Sequence, residues 1–482
     1  MIVLAEVSEL METSLLASAI SFIDSWLPLR YEHSDVPGIA VAISHKGEVV
    51  FNKAYGYANL EKEERLATTH IFRIASHSKT FTATAIMQLA EQDKLKLDDH
   101  VMKYLPWLES HKDRRYQKIT IRQLMSHSAG IIRDGLDRDY AQLKRPYPES
   151  AQFRDEILEA GLITDTNLEM KYSNLGFAIL GMIIEAVSNR PYNQFVMENV
   201  IRPLRLKNTF PDYSEPIKDR FVTGYTRADL NRVRFPIPTV ISTKSTSAAR
   251  GFCSTADDLC RFFSAHFIGS KQLLDDESKK EMQRTHWEVR SKEKQEYGLG
   301  LAVEYIGSRR TFGHGGAAPG MMTSTLCDPQ NELVVVVLMN CIDADPKLVC
   351  KGIYSILSYF ESCNSASKSI HDLKRFQGRF MNLWEIKDIV VVGSKIAALC
   401  PNVWQPFDEV EELQYIDDHT LKVVNANGYL SKGERVEFRF SEASMIESIR
   451  YCGMTMWPKL AYLEALSKEN APAKQISRAL SH

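Results

Sequence analysis

The sequence predicts an α/β (α+β) catalytic domain, an antiparallel sheet flanked by helices with an all-helical region, followed by a small C-terminal antiparallel β-barrel-like domain. Three observations carry that expectation. Strand-like runs stand at both ends of a long segment: residues 39–43 and 48–51 near its start, 333–338 near its end. Helical spacing and Gly/Pro punctuation fill the interval between them. Beyond about residue 365 the helical periodicity stops and short strands separated by turns take over.

The elements follow in order. Leu15 to Ile23 reads as an amphipathic first helix; no Lys or Arg precedes Arg30, and Glu6, Glu9 and Glu12 are acidic. A secretory signal needs a positive n-region and an unbroken apolar core, so none is expected here. No run approaches the roughly 18 apolar residues of a membrane span, so the expected location is cytoplasmic, with no membrane partner. Pro37-Gly38 opens an apolar run, His45-Lys46-Gly47 makes a turn, and Glu48-Val49-Val50-Phe51 returns, a β-hairpin. Residues 79–93 switch to helical spacing through Phe81, Ala85, Met87 and Leu89. Strands are expected again at 297–303, at Thr311-Phe312 and at 333–338, the last buried on both faces. Residues 351–360 form a closing helix, and small polar residues after it mark a linker. The expected division is 1–362, linker 363–369, and 370–482. In the last part 389–392, 421–424 and 435–440 are strands, Asn427-Gly428 and Lys432-Gly433 turns, and a short helix and tail start at about Tyr462.

Length and composition narrow the function. The 482 residues are 44% hydrophobic and 25% charged, with 59 Lys plus Arg against 61 Asp plus Glu. That is ordinary globular composition, about three domain lengths, and excludes disordered, collagen-like and coiled-coil chains. The near-zero balance gives no footprint for nucleic acid and no design for strongly anionic substrates. Eight cysteines, none in a C-x-x-C pair, are neither a zinc pattern nor a disulfide framework and suit a reducing compartment. No grouping argues for a metal, and no cofactor is expected.

Chemistry concentrates in three places. Arg73-Ile74-Ala75-Ser76-His77-Ser78-Lys79 stands where a strand-like segment becomes a helix. One turn separates Ser76 from Lys79, so an amine would lie beside a hydroxyl at a helix N-terminus. The S-x-x-K spacing recurs at Ser291–Lys294 and Ser365–Lys368, and context selects Ser76. Lys171-Tyr172-Ser173-Asn174 puts a phenol and an amide on one side of a tight loop. The phenol could relay protons and the amide bind a substrate carbonyl; Tyr172 also fits a core tyrosine with a satisfied hydroxyl. A neighbouring ammonium would lower the phenol's pKa. Phe312-Gly313-His314-Gly315-Gly316-Ala317 would bring a strand edge against a ligand, the Ala317 and Ser76 N–H groups forming an oxyanion hole. The alternative is a Gly-rich turn with a solvent-facing histidine.

These elements, in this order, resemble the serine β-lactamase-related family: class C β-lactamases, D-alanyl-D-alanine carboxypeptidases, D-aminopeptidases and related esterases. Similar too are Leu95-Lys96-Leu97-Asp98-Asp99 with Tyr104-Leu105-Pro106, and the stretch from Ile119 to Gly130 containing Ser126-His127-Ser128. Gly251-Phe252-Cys253-Ser254-Thr255-Ala256 and Tyr297-Gly298-Leu299-Gly300 extend the likeness, which covers roughly residues 15 to 360. The resemblance implies a penicillin-binding-protein-like catalytic fold. It makes Ser76 the acylated nucleophile, Lys79 and Tyr172 the proton relay, and Asn174, His314, Gly315, Gly316 and Ala317 the substrate-binding and oxyanion set. Which of Lys79 and Tyr172 is the base stays open. Position 314 departs from the lysine usual in the lactam-processing members, which implies that β-lactam hydrolysis is secondary. Residues 370–482 resemble the lipocalin-like barrel that follows some family members.

The implied function is a serine hydrolase acting through an acyl-enzyme on esters, small amides or short peptides, including those with D-residues. An acyltransferase with the same residues and a non-catalytic scaffold are the alternatives. The reading allows a homo-oligomer.

Overall fold

In the computed structural model, residues 2–237, 241–289, 291, 294–363, 372–427 and 431–468 are described. Their contacts form two compact units, Asp35–Cys350 and Met1–Ser34 with Lys351–His482.

In the first unit the expected hairpin forms as β1 (Gly38–His45) and β2 (Glu48–Asn59), with β3 (Glu64–Arg65) beside β2. The later strands are β4 (Trp287–Val289), β5 (Gln295–Tyr297), β6 (Ala302–Ile306), β7 (Arg309–Ala318), β8 (Met321–Asp328) and β9 (Leu333–Met339). They make one nine-stranded antiparallel sheet in the order β3-β2-β1-β9-β8-β7-β6-β5-β4. Every residue of β9 is buried, and it pairs with β1 from Ile39 opposite Met339 to His45 opposite Leu333. The two ends of the segment therefore close the sheet, as the buried Leu-Val-Val-Val-Val-Leu run led one to expect.

One expected strand, 297–303, is two. β5 stops at Tyr297 and β6 starts at Ala302, with Ala302 turned back opposite Tyr297. Gly300 sits at φ +69° in that corner, and a Cβ there would come within 2.5 Å of Ala83 and 3.0 Å of the Lys79 carbonyl. The glycine lets the corner rest on the helix carrying Lys79. Thr311-Phe312 is conversely a fragment of the ten-residue β7, which takes in the whole glycine-rich run.

α1 spans Ile2–Glu32, α2 Ser78–Glu91, α3 Asn174–Ser188, α4 Ala256–Ser264 and α5 Pro346–Ser362; α2, α3 and α4 lie in this first unit, where α2 and α3 pack on each other. α4 lies on β1 and β9. α2 is buried along most of its length, with Phe81 stacked on Phe262 at 3.6 Å and Phe252 at 4.3 Å. A helix wrapped this completely is a fixed platform for whatever its first turn carries.

The second unit contains a closed eight-stranded antiparallel barrel whose strands follow sequence order, an up-and-down meander. Inward positions are filled by Phe376, Phe380, Leu421, Phe438 and Met456. Beside them Lys387 and Glu411 form a buried ion pair at 2.6 Å. In the same unit α1 packs its aromatic residues on the chain around 404–407: Phe22 on Phe407 at 5.1 Å and Trp26 on Trp404 at 6.1 Å. Contacts such as these group Met1–Ser34 and Lys351–Ser362 with the barrel, a different division from the sequence-based boundaries. The expected linker 363–369, apart from Cys363, and Gly428 of the expected turn lie outside the described residues. The C-terminal helix runs Lys459–Lys468, starting ahead of Tyr462.

Candidate active site

The site begins at a strained turn. Ala75 has φ +47°, a left-handed conformation that costs a residue with a Cβ about 1–3 kcal/mol and needs surroundings that hold it. They are present: Ser78 Oγ donates to the Ala75 carbonyl at 2.5 Å and accepts from Phe252 N–H at 3.0 Å. His77, next to the serine, is buried between the Ile74 carbonyl and Thr325 Oγ1, at 3.0 and 2.9 Å. It staples the turn to β8 and faces away from the chemistry. The result is a short 3-10 turn, Ala75–His77, that leaves Ser76 partly exposed among buried neighbours.

Lys79 and Tyr172 both reach that serine. Lys79 Nζ lies 3.2 Å from Ser76 Oγ, and Tyr172 OH donates to the same oxygen at 2.8 Å. The amine also donates to Asn174 Oδ1 at 2.7 Å and to the Ala249 carbonyl at 2.8 Å. Asn174 is placed by the start of α3, where Ser173 caps the helix by accepting from Gly176 N–H at 2.9 Å. Its amide nitrogen is committed as well, donating to Asp134 Oδ1 at 2.7 Å. Asn174 therefore positions the amine, with one N–H left for a substrate carbonyl.

Burial separates the two proton affinities. Lys79 is fully buried, and its pKa falls well below 10.5, through desolvation first and then the positive charge of Arg250 and Arg133, which outweighs Asp134. Tyr172 is pushed up to about 12, again by desolvation first. The lowering expected from a neighbouring ammonium is overturned, because burial dominates the phenol's titration. His127 and Tyr172 pack ring to ring at 4.3 Å, and Arg133 lies over the phenol ring at 5.1 Å.

Sequence reasoning missed the charged group beneath Lys79 and Asn174. Asp134 is buried and takes Arg250 in an ion pair, Asn174 in a hydrogen bond and Arg133 at 3.4 Å. No spacing pattern announces it; the only signal was that Asp134 falls in the 131–170 loop, next to the S-H-S-A-G stretch. Tyr297 was read as strand, yet its hydroxyl meets His314.

β7 supplies the opposite wall. β6 pairs with it only as far as Gly313, so His314 to Ala318 have β8 alone beside them. A Cβ on Gly316 would stand 2.2 Å from the Ile74 carbonyl, so this glycine permits the strand to lie against the Ser76 turn. Gly315 and Ala317 are exposed, and Ala317 lines a cavity with Ser76. His314 is buried. Its Nδ1 lies 2.6 Å from the Gly315 carbonyl, an acceptor only, so Nδ1 carries the proton and Nε2 accepts from Tyr297 OH at 3.1 Å. Desolvation and the nearby Lys79 bring its pKa down to about 3. The ring is neutral with both nitrogens engaged. Ser76 stands where two cavities of about 420 and 360 Å³ meet, the larger on the Arg133 side and the smaller along β7.

A stretch of 187 residues is 30% identical to Protein flp of Staphylococcus aureus (strain MW2), covering 39% of this chain and 37% of that protein. The chain thus spans under half the length of the curated relatives it matches. In structure it is similar to the octameric penicillin-binding protein homologue from Pyrococcus abyssi, with TM-score 0.62 and 22% identity, covering 92% of this chain and 99% of that one. A D-stereospecific amidohydrolase from Streptomyces sp. gives TM-score 0.57 and 24% identity, over 71% and 98% of the two chains. These structural likenesses establish a penicillin-binding-protein-like fold. The serine turn, its amine and its glycine strand all lie within residues 9–347, which match the β-lactamase family profile, and the chain therefore belongs to the β-lactamase family.

Proposed function

We propose that the protein is a serine hydrolase that forms an acyl-enzyme on Ser76, with esters, small amides or short peptides as substrates. The observation that carries this reading is one hydroxyl touched by two groups of opposite character. A buried amine with depressed pKa lies 3.2 Å from it, and a phenol that stays protonated to about 12 donates to it at 2.8 Å.

Lys79 is then the base. As a neutral amine it directs its two N–H bonds to Asn174 Oδ1 and the Ala249 carbonyl and its lone pair to the Ser76 hydroxyl. On attack the serine proton passes to Nζ, the Oγ–C bond forms, and the carbonyl electron pair moves onto oxygen. The Ser76 and Ala317 N–H groups receive that charge, a contribution worth about 10²–10³ in rate per donor in comparable sites. When the oxyanion collapses, the leaving group takes the Tyr172 proton, and the Lys79 ammonium restores it to the phenolate. Water repeats the sequence in deacylation.

The D-stereospecific amidohydrolase among the structural relatives supports amides with D-residues as one substrate class. The neutral, fully engaged His314 supports placing β-lactam turnover second, since it offers no cation for a lactam carboxylate. Eight free cysteines support a reducing, cytoplasmic setting, and the octameric homologue supports a homo-oligomer. Among the described residues no helix is long and apolar enough to cross a membrane. Intact-mass analysis after treatment with a fluorophosphonate tests the reading: one adduct is expected, absent from Ser76→Ala. No adduct on the wild-type chain would defeat it.

A further inference from the structure

The larger cavity carries more positive charge than the proton relay uses. Arg133, Arg138 and Arg250 all converge on Asp134, three guanidinium groups on one carboxylate. Arg250 is committed to that buried pair, its side chain only 14% exposed. Arg133 and Arg138 differ: their side chains are 55% and 62% exposed, and they stand 3.4 and 4.0 Å from a carboxylate that already accepts from Asn174 and Arg250. Both line the cavity that reaches Ser76. Of the acidic groups nearby, Asp137 pairs with Arg145 at 2.9 Å, Glu149 with Lys244 at 2.7 Å and Asp212 with Arg73 at 3.2 Å, and Glu156 shares Arg145 at 3.3 Å. Across the cleft, His314 is neutral and adds no charge. A net charge of −2 over the whole chain thus conceals a cationic wall beside the nucleophile.

We propose that the substrate carries a carboxylate in the half that occupies this cavity, received by Arg133 and Arg138. The inference rests on the reading of Ser76 as the acylated nucleophile and names the substrate class of that site. A guanidinium fork matches a carboxylate in shape as well as charge, with two parallel N–H···O bonds. An ammonium in the same place meets like charge, so unblocked amino-acid amides are expected to be poor substrates.

The test compares kcat/KM within two matched pairs. The para-nitrophenyl esters of glutaric and valeric acid place a carboxylate or a methyl on the acyl side. The acetyl esters of meta-hydroxybenzoate and of its methyl ester do so on the leaving side. In at least one pair the anionic member is expected to be preferred by about tenfold or more, and less so at high salt. In the Arg133→Ala/Arg138→Ala double variant the ratio is expected to approach one, while Arg138→Lys keeps part of it. No anionic preference in either pair, or a preference that survives the double variant, overturns the inference. Hydrolysis of the neutral esters without charge preference defeats this proposal alone. An inert protein whose Ser76 takes no fluorophosphonate defeats the hydrolase reading beneath it.

Discussion

At the residue scale, an amine and a phenol that share one serine take up base and acid roles when their surroundings pull their proton affinities apart. In water the two titrate close together, near 10. Burial penalises the charged form of each, which lowers Lys79 and raises Tyr172. Lys79→Ala and Tyr172→Phe are each expected to slow acylation by about 10²–10⁴-fold, measured as the initial burst with an activated ester. A near-wild-type burst in either variant would remove that residue from the relay. The spacing of Ser76, Lys79, Tyr172 and Asn174 is legible in the sequence because the first pair shares a helix turn and the second a tight loop. Asp134 is not legible, since it meets Arg250 across 116 residues and neither belongs to a spacing pattern. The inverted proton order is equally invisible, because it comes from burial.

At the scale of elements, the site depends on how closely β7 approaches the Ser76 turn. Gly316→Ala would set a methyl 2.2 Å from the Ile74 carbonyl, a backbone atom in a turn already held by Ser78 and Phe252. The strand must shift, and a displacement of an ångström near reacting atoms costs about 100-fold in rate. Gly316→Ala is therefore expected to lower kcat by about two orders of magnitude while the chain still folds, checked by steady-state kinetics beside a melting curve. Unchanged kcat would mean that the close approach is dispensable. Periodicity revealed β1, β2, α2 and β9, whose apolar patterns report directly on what they bury. It left the run at 312–320 balanced between strand and turn, because glycines carry no pattern. The corner at Gly300 was hidden for a related reason: contact with Lys79 and Ala83 breaks the strand there, and such contacts are tertiary.

For the whole molecule, pH stability follows from histidines buried without charge. Desolvation brings His77 and His266 down to about 4 and His314 to about 3, and His127 is lowered as well. An unfolded chain binds protons on these rings near pH 6.5. Folded values lie below that, so between about pH 6.5 and pH 4 the unfolded state takes up protons that the folded state refuses. Stability is complete above this window and is lost as pH falls through it. The melting temperature is expected to drop steeply across that interval, and a flat profile would mean that these rings are solvated or charged. Composition gave no hint of this, as it counts histidines without placing them. Chain order likewise did not show that Phe22 and Trp26 pack against Phe407 and Trp404 at the far end of the chain.

The central claim is that a neutral Lys79 takes the proton from Ser76, and the rate of Ser76 acylation measured against pH tests it most directly. An acid limb well below the ordinary lysine value of 10.5 is expected, and it should be absent from Lys79→Ala. Above that limb the rate should stay level, since Tyr172 keeps its proton to about 12. A rate that rises only near 10.5, or the same profile in Lys79→Ala, would contradict it.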